Sequence, residues 1–315
     1  MKVIGLMPVK NEAWILPYSL RALSDICDYI VVADHQSQDD TRQILRSFPK
    51  VETIENREPT HSNRVRWQLL EAARAHDGNN LILCVDADEI IPPNLWKRFF
   101  PSSASLEGSG SWLSFWWVQL WRSTTAYRDD ESVWSNQWKP IGFFDDRRVL
   151  YDHRWVINDH APRVPGPDRT PQIRVKEAPL LHFQWVAWER VQMKQAWYAC
   201  NELLHDQDSF SINEKYAITK RDANERVSPA PPEWFADLSI PPSLSDTGAG
   251  WHLTEILAWF DQFGVERFEP LDIWHVTSLH QIFLSRTGRE PRPAPQPSPI
   301  QWVLLRARRK LRRML

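Results

Sequence analysis

Cysteine is scarce in this chain: three among 315 residues, Cys27, Cys84 and Cys200, far apart and odd in number. With no C-x-x-C pair they frame neither a disulfide scaffold nor a zinc cluster, and a reducing compartment is expected. Net charge is nearly absent, with 38 Lys and Arg against 40 Asp and Glu. No global field therefore draws the molecule to nucleic acid or to an anionic membrane. No stretch approaches the length of a membrane span, about 18 apolar residues. The first apolar run, Val3 to Val9, is interrupted by Pro8 and closed by Lys10 and Glu12, too short and wrongly flanked for a signal peptide. The cytoplasm is the expected location. Glycine is held to 10 residues against 24 prolines, and no repeat or low-complexity tract dominates. A composition 42% hydrophobic and 25% charged describes a globular chain and excludes collagen-like or disordered classes.

Tryptophan is abundant, with 18 residues and a concentration at Trp112, Trp116, Trp117 and Trp121. Aromatic faces stack on sugar rings, although most tryptophans are expected in the core. In the first hundred residues, short apolar runs (Val3 to Met7, Tyr29 to Ala33, Val51 to Ile54, Leu81 to Val85) alternate with helical spacing. Ile15, Leu16, Leu20 and Leu23 form one helical face, and Trp67, Leu69, Leu70, Ala72 and Ala73 another. Apolar strands separated by helices predict an α/β fold with a parallel sheet covered on both faces, whose ligands bind at the carboxyl ends of the strands. Further strands are expected over Trp112 to Trp121, Ile141 to Phe144 and Arg148 to Tyr151. Helices are expected over Trp188 to His205, Asn213 to Arg226 and Leu253 to Phe263.

The pattern divides the chain into a main domain over 1–227, with halves 1–100 and 101–227, and a Pro-rich wrapping segment and helix over 228–290. A semi-rigid spacer follows over 291–299, with proline at every second position, and then a tail over 300–315. That tail holds Arg306, Arg308, Arg309, Lys310, Arg312 and Arg313 and no acidic residue. With Trp302, Leu304, Leu305 and Leu311 it suits peripheral contact with an anionic membrane surface, or equally a solvated tail or a protein-docking helix.

The strongest local signal is Cys84-Val85-Asp86-Ala87-Asp88-Glu89, an acidic turn directly after an apolar strand. Carboxylates at i and i+2 there suit a hard divalent cation, Mn²⁺ or Mg²⁺, bridging a nucleotide diphosphate. The other strand ends are polar too: Lys10-Asn11-Glu12 after the first and Asp34-His35-Gln36-Ser37-Gln38-Asp39-Asp40 after the second.

Pro8-Val9-Lys10-Asn11-Glu12, Val31-Val32-Ala33-Asp34 with the residues to Thr41, and Leu81 to Glu89 together resemble the three N-terminal signatures of family 2 glycosyltransferases. The resemblance covers about the first third of the chain. It implies the GT-A fold, a Rossmann-like, mixed and mainly parallel sheet flanked by helices, here with a helical C-terminal extension. It also implies a nucleotide-sugar donor and a glycan or lipid-linked hydroxyl acceptor, as in cell-envelope polysaccharide synthesis, with no nucleic-acid partner. Glu12 and Asp34 would contact base and ribose, and Asp86 and Asp88 would hold metal and diphosphate. Arg66 stands where the family often has Arg-Asn, with Trp67 in place of the asparagine; Arg64 is its competitor. His182 resembles the late histidine that completes the metal shell, an acceptable Mn²⁺ ligand, and His160 has a similar case. The family's inverting displacement requires a carboxylate base, for which Asp145, Asp146 and Asp159 are the candidates. Asp145 and Asp146 also suit plain salt bridges with Arg147 or Arg148.

Two other readings accompany this one. An Asp-x-Asp after a strand also opens the haloacid-dehalogenase phosphatase motif, where the first Asp becomes phosphorylated. That reading leaves Asn11, Glu12 and Asp34 unexplained and expects Thr or Val at Ile90. The second is a carbohydrate-binding or scaffold protein that has kept the fold without turnover.

Overall fold

A computed structural model describes residues 1–56, 58, 64–103, 111–131, 135–148, 151, 162–166, 172–205, 208–220, 225–244 and 250–295. The chain forms two compact units, Met1–Ala187 with Arg226–Gly248, and Trp188–Glu225 with Ala249–Leu315. The sequence pattern places its division at 227 instead. The difference arises because the Pro-rich stretch after Arg226 returns to the first unit: Trp234 and Leu244 are buried in that unit's core.

In the first unit the strands are β1 (Val3–Val9), β2 (Tyr29–Asp34), β3 (Val51–Glu55), β4 (Asn80–Cys84), β5 (Glu89–Ile90), β6 (Trp112–Gln119), β7 (Ala126–Arg128), β8 (Gln137–Asp145), β9 (Gln172–His182) and β10 (Val227–Pro229). The helices are α1 (Leu16–Ile26), α2 (Thr41–Arg46), α3 (Val65–Ala73) and α4 (Pro93–Ser103). Eight strands form one sheet in the order β3-β2-β1-β4-β8-β6-β9-β5, and β7 pairs with β10. The four strands from β3 to β4 are parallel; β8 then runs antiparallel to both β4 and β6, and β9 runs parallel to β6. This is the mixed, mainly parallel GT-A arrangement that the motifs imply.

The local reasons are plain in β1 and α1. The strand is buried on both faces, as a central parallel strand requires. Leu16, Leu20, Leu23 and Ile26 share the buried face of α1, and Pro17 lies in its first turn, where a missing N–H costs nothing. Gly5 makes this packing possible, since a Cβ there would sit 2.8 Å from Leu23 Cδ2. Because β1, β2 and β4 are parallel, their carboxyl ends lie on one edge of the sheet, and β8 delivers its own carboxyl end to the opposite edge.

Four strands, β5, β7, β9 and β10, escape the sequence pattern, and β9 is the longest of them. Pro179 argues against a strand over Gln172–His182, yet β9 forms there. Its pairing with β6 jumps from Phe115↔Val175 to Trp117↔Leu180, so Pro179 falls in a bulge and its absent N–H breaks no ladder bond.

In the second unit, α5 (Trp188–Leu204), α6 (Ser209–Lys215), α7 (Gly250–Phe263) and α8 (Thr277–Thr287) bury Cys200, Ile212, Ile256, Phe260, Phe268, Leu279 and Phe283 together. The helix expected over Asn213 to Arg226 is shorter and starts earlier. Asp208 caps α6 by accepting from Ser211 N at 2.9 Å, a 3-10 turn follows at Ala217–Thr219, and Val227 already belongs to β10. No helix among the described residues is long and apolar enough to cross a membrane.

Candidate functional site

The carboxyl ends of β1 and β2 are tied into one polar shelf. Asn11 and Gln36, just beyond them, hold left-handed backbone (φ 53° and 56°), a conformation non-glycine residues adopt only where the surroundings enforce it. Asn11 N donates to Ser37 Oγ at 2.8 Å, and Asn11 Oδ1 accepts from Gln38 N at 2.7 Å. Asp34 is buried; it accepts from Ser37 N at 3.1 Å and pairs with Arg42 Nε at 2.6 Å. Glu12 accepts from Trp14 Nε1 at 2.5 Å, while its own N–H donates to Thr41 Oγ1. Glu12 and Asp34 therefore stand on neighbouring parallel strand ends of the same edge.

The acidic turn follows β4 on that edge. Asp86 Oδ1 accepts from Arg66 Nη2 at 2.6 Å and Asp86 Oδ2 from Arg163 Nη2 at 2.7 Å. Arg163 Nη1 donates to Glu89 Oε2 at 2.6 Å, and Glu89 Oε1 accepts from Trp117 Nε1 at 2.8 Å. Arg66, Arg163 and Glu89 are all buried. Burial works against the Arg163 charge, but Asp86 and then Glu89 outweigh it, so its pKa is raised and the guanidinium stays charged. Arg66 on α3 reaches the turn, whereas Arg64 is an exposed residue at the start of that helix.

From Asp86 the chain crosses to β5, beside β9 at the far end of the sheet. Cross-strand pairs Glu89↔His182, Gln119↔His182 and Trp117↔Gln137, with side chains two residues apart sharing a face, put Glu89, His182, Gln119, Trp117 and Lys139 on one face. The His182 ring stacks on Trp117 with centroids 4.7 Å apart, and Lys139 Nζ lies 4.3 Å from the Trp117 ring centroid. Burial, and next the Arg163 charge, lower the Lys139 pKa against the upward pull of Glu89 and Asp86.

His182 Nδ1 is 2.6 Å from Gln119 Oε1. A proton on Nδ1 satisfies that contact and leaves the Nε2 lone pair directed at Asp88 Oδ2, 3.5 Å away. Two acceptors facing each other at that distance suit a shared cation, since adjacent ligands of a small divalent ion at about 2.1 Å stand roughly 3 Å apart. In metal centres, an outer-shell contact of the kind Gln119 makes here fixes the ligating imidazole. Among the described residues no three His, Cys, Asp or Glu side chains converge on one point. That is compatible with Mg²⁺ or Mn²⁺ that draws its remaining ligands from a diphosphate and water.

The structure places the remaining sequence candidates elsewhere. Asp145 ends β8 opposite Asn80, the first residue of β4, so it lies on the other edge of the sheet. The four steps from Asn80 to Cys84 alone span about 13 Å. Its carboxylate is gripped by Arg74 through Nε at 2.8 Å and Nη2 at 2.7 Å. Asp146 is exposed beside it and accepts from Arg148 N. Neither reaches the edge that carries the acidic turn, and Asp145 forms its salt bridge with Arg74 rather than with the expected Arg147 or Arg148. Asp159, His160 and the tail 300–315 lie outside the described residues. Sequence reasoning missed Arg163, Lys139, Trp117 and Gln119, none of which belongs to a contiguous motif; Glu89 lies inside its motif, where the spacing assigns it no role.

No curated protein matches the chain by sequence. Among solved structures, TarS 1–349 of S. aureus in complex with UDP is 15% identical, covering 91% of this chain and 87% of that one at a TM-score of 0.35. Glucosyl-3-phosphoglycerate synthase of Mycobacterium tuberculosis, crystallised with Mn²⁺, UDP-glucose and phosphoglyceric acid, is 19% identical over 36% of this chain and 43% of that one, TM-score 0.28. The chain spans 41% of a mycobacterial protein that it matches at 18% identity over 37% of its own length, TM-score 0.29, and 43% of a longer TarS structure. A family model covers the stretch from β1 through β8, and it includes all three motif regions and the acidic turn: residues 6–154 match glycosyl transferase family 2.

Proposed function

We propose that the protein transfers a sugar from a nucleotide-sugar donor to a hydroxyl of a glycan or lipid-linked acceptor, with inversion, in a single metal-assisted displacement. The observation that carries this reading is the Asp88 and His182 pair set beside the arginine-held Asp86, at the carboxyl end of β4. Asp88 and His182 would hold Mn²⁺ or Mg²⁺ with Asp86 close by, and a bound divalent ion supplies Lewis-acid stabilisation to the diphosphate. Glu12 and Asp34 face the nucleoside. Arg66 and Arg163 exchange Asp86 oxygens for phosphate oxygens, to which a guanidinium is equally well matched. The base is a carboxylate on the acceptor side that takes the hydroxyl proton as the oxygen attacks the anomeric carbon. Asp145 and Asp146 are too far for that role, which passes to Asp159.

The test is a thermal-shift panel of UDP-, GDP-, CMP- and dTDP-sugars with Mn²⁺, Mg²⁺ or EDTA, run on wild type and Asp88→Ala and paired with an assay of donor hydrolysis. A donor at about 100 times its dissociation constant stabilises the fold by roughly 2.7 kcal/mol. One nucleotide class should shift the wild type only with metal, and Asp88→Ala should lose both the shift and the hydrolysis. A metal-dependent shift without turnover on any acceptor would favour a binding role, and no shift with any donor would overturn the donor site.

A further inference from the structure

Among the described residues Lys139 is a cation of this site whose charge has no dedicated partner. Asp86 is matched by Arg66 and Arg163, and Glu89 by Arg163 and Trp117 Nε1. Asp88 stands against His182. Among the described residues Lys139 Nζ touches the Trp117 ring and makes no hydrogen bond or ion pair. It is nonetheless half-buried, fixed on β8, the strand next to β4, on the same face as Trp117, His182 and Glu89. A desolvated ammonium held over an aromatic ring within the field of Asp86, Glu89 and Arg163 is placed for an anion that arrives from outside.

We infer that Lys139 is a leaving-group residue, its Nζ contacting the phosphate from which the sugar departs. The inference rests on the donor-site reading above and adds a residue to it. A divalent ion held by Asp88 and His182 would balance the charge of the diphosphate in an intact nucleotide sugar. When the bond from the anomeric carbon to the phosphate oxygen breaks, both electrons go to that oxygen, which gains one further negative charge. The acceptor oxygen meanwhile bonds to the anomeric carbon, and its proton passes to the carboxylate base. Lys139 stays protonated and meets the new charge, an interaction that strengthens as the bond breaks and so acts mainly on turnover.

The experiment compares wild type, Lys139→Met and Lys139→Arg, with Lys139→Gln as the replacement should the Met variant not fold. Binding of UDP, GDP and dTDP, each beside its monophosphate and with Mn²⁺, is measured by calorimetry, and donor hydrolysis by steady-state kinetics. For the diphosphate that binds wild type, Lys139→Met should weaken affinity about 10-fold and leave the monophosphate unchanged, as loss of one charge-assisted contact requires. Its kcat should fall about 100-fold or more with a smaller change in KM, and Lys139→Arg should recover most of the loss. Equal weakening of mono- and diphosphate, or an unchanged kcat in the folded neutral variant, would overturn the role of Lys139. If no diphosphate binds wild type, the reading of a diphosphate donor fails and this inference fails with it.

Discussion

Two edges of one sheet each carry an aspartate in the grip of arginine, and they do different things. At the carboxyl end of β4, Asp86 takes hydrogen bonds from Arg66 and Arg163. Around it stand a lysine that makes no ion pair among the described residues, a histidine whose Nε2 lies 3.5 Å from the Asp88 carboxylate, and a shelf of left-handed loop residues. At the opposite edge, Asp145 takes two hydrogen bonds from Arg74 and one from Arg147 N. That second cluster is complete in itself. An arginine-held carboxylate therefore marks a site only when groups beside it need a partner that the protein does not supply.

This contrast can be broken by removing one member of each cluster. The larger effect belongs to Arg163→Met, which leaves Glu89 buried with its charge unopposed. Loss of one partner of such a pair costs about 3 kcal/mol or more, and the donor-induced thermal shift should vanish as well. Urea denaturation with and without donor and Mn²⁺ measures both effects; a variant of wild-type stability would show that the Arg163–Glu89 pair adds nothing net to the fold. Asp145→Asn keeps the shape and one acceptor, so a loss of about 2 kcal/mol is expected, in the range of a charge-assisted hydrogen bond. Its donor shift and hydrolysis should match wild type. Loss of hydrolysis in a folded Asp145→Asn would restore that residue as a catalytic candidate and erase the contrast.

The edge at the carboxyl ends of β1, β2 and β4 is legible in the sequence because parallel strands place consecutive motifs side by side. Asn11, Asp34 and Asp86 each follow an apolar run, and β1, β2 and β4 need only be parallel to collect them. The part of the sheet from β6 to β9 is not legible, for three physical reasons. Pro179 disguises β9, because a bulge supplies the place where a proline costs no hydrogen bond. Gln119 and Lys139 gain meaning only from antiparallel and parallel registers across β8, β6 and β9, which no linear spacing encodes. Asp145 looks catalytic beside Arg147 and Arg148, and only the reversed direction of β8 carries it to the wrong edge. His182 ends an apolar run as the N-terminal carboxylates do, and its place beside Glu89 and Gln119 comes from the same strand registers.

The smallest effect tests the same principle in the helical unit, where an ion cluster is again complete in itself. Glu269 accepts from Arg289 Nη2 at 3.0 Å and from Arg292 N at 2.9 Å, and Arg289 also donates to Glu266. The hydrogen bond from Arg289 lowers the Glu269 pKa to about 2, despite desolvation and with help from Arg292. A carboxylate depressed in the folded state contributes stability that is present above its unfolded pKa of about 4.5 and is lost as pH falls toward 2. Glu269→Gln should therefore lower the thermal midpoint at pH 7, and the gap to wild type should close between about pH 4.5 and 2. Donor binding should not change. A gap that stays constant across that range would mean that the Glu269→Gln variant loses packing rather than charge, and the ion cluster would then contribute no pH-dependent stability of its own.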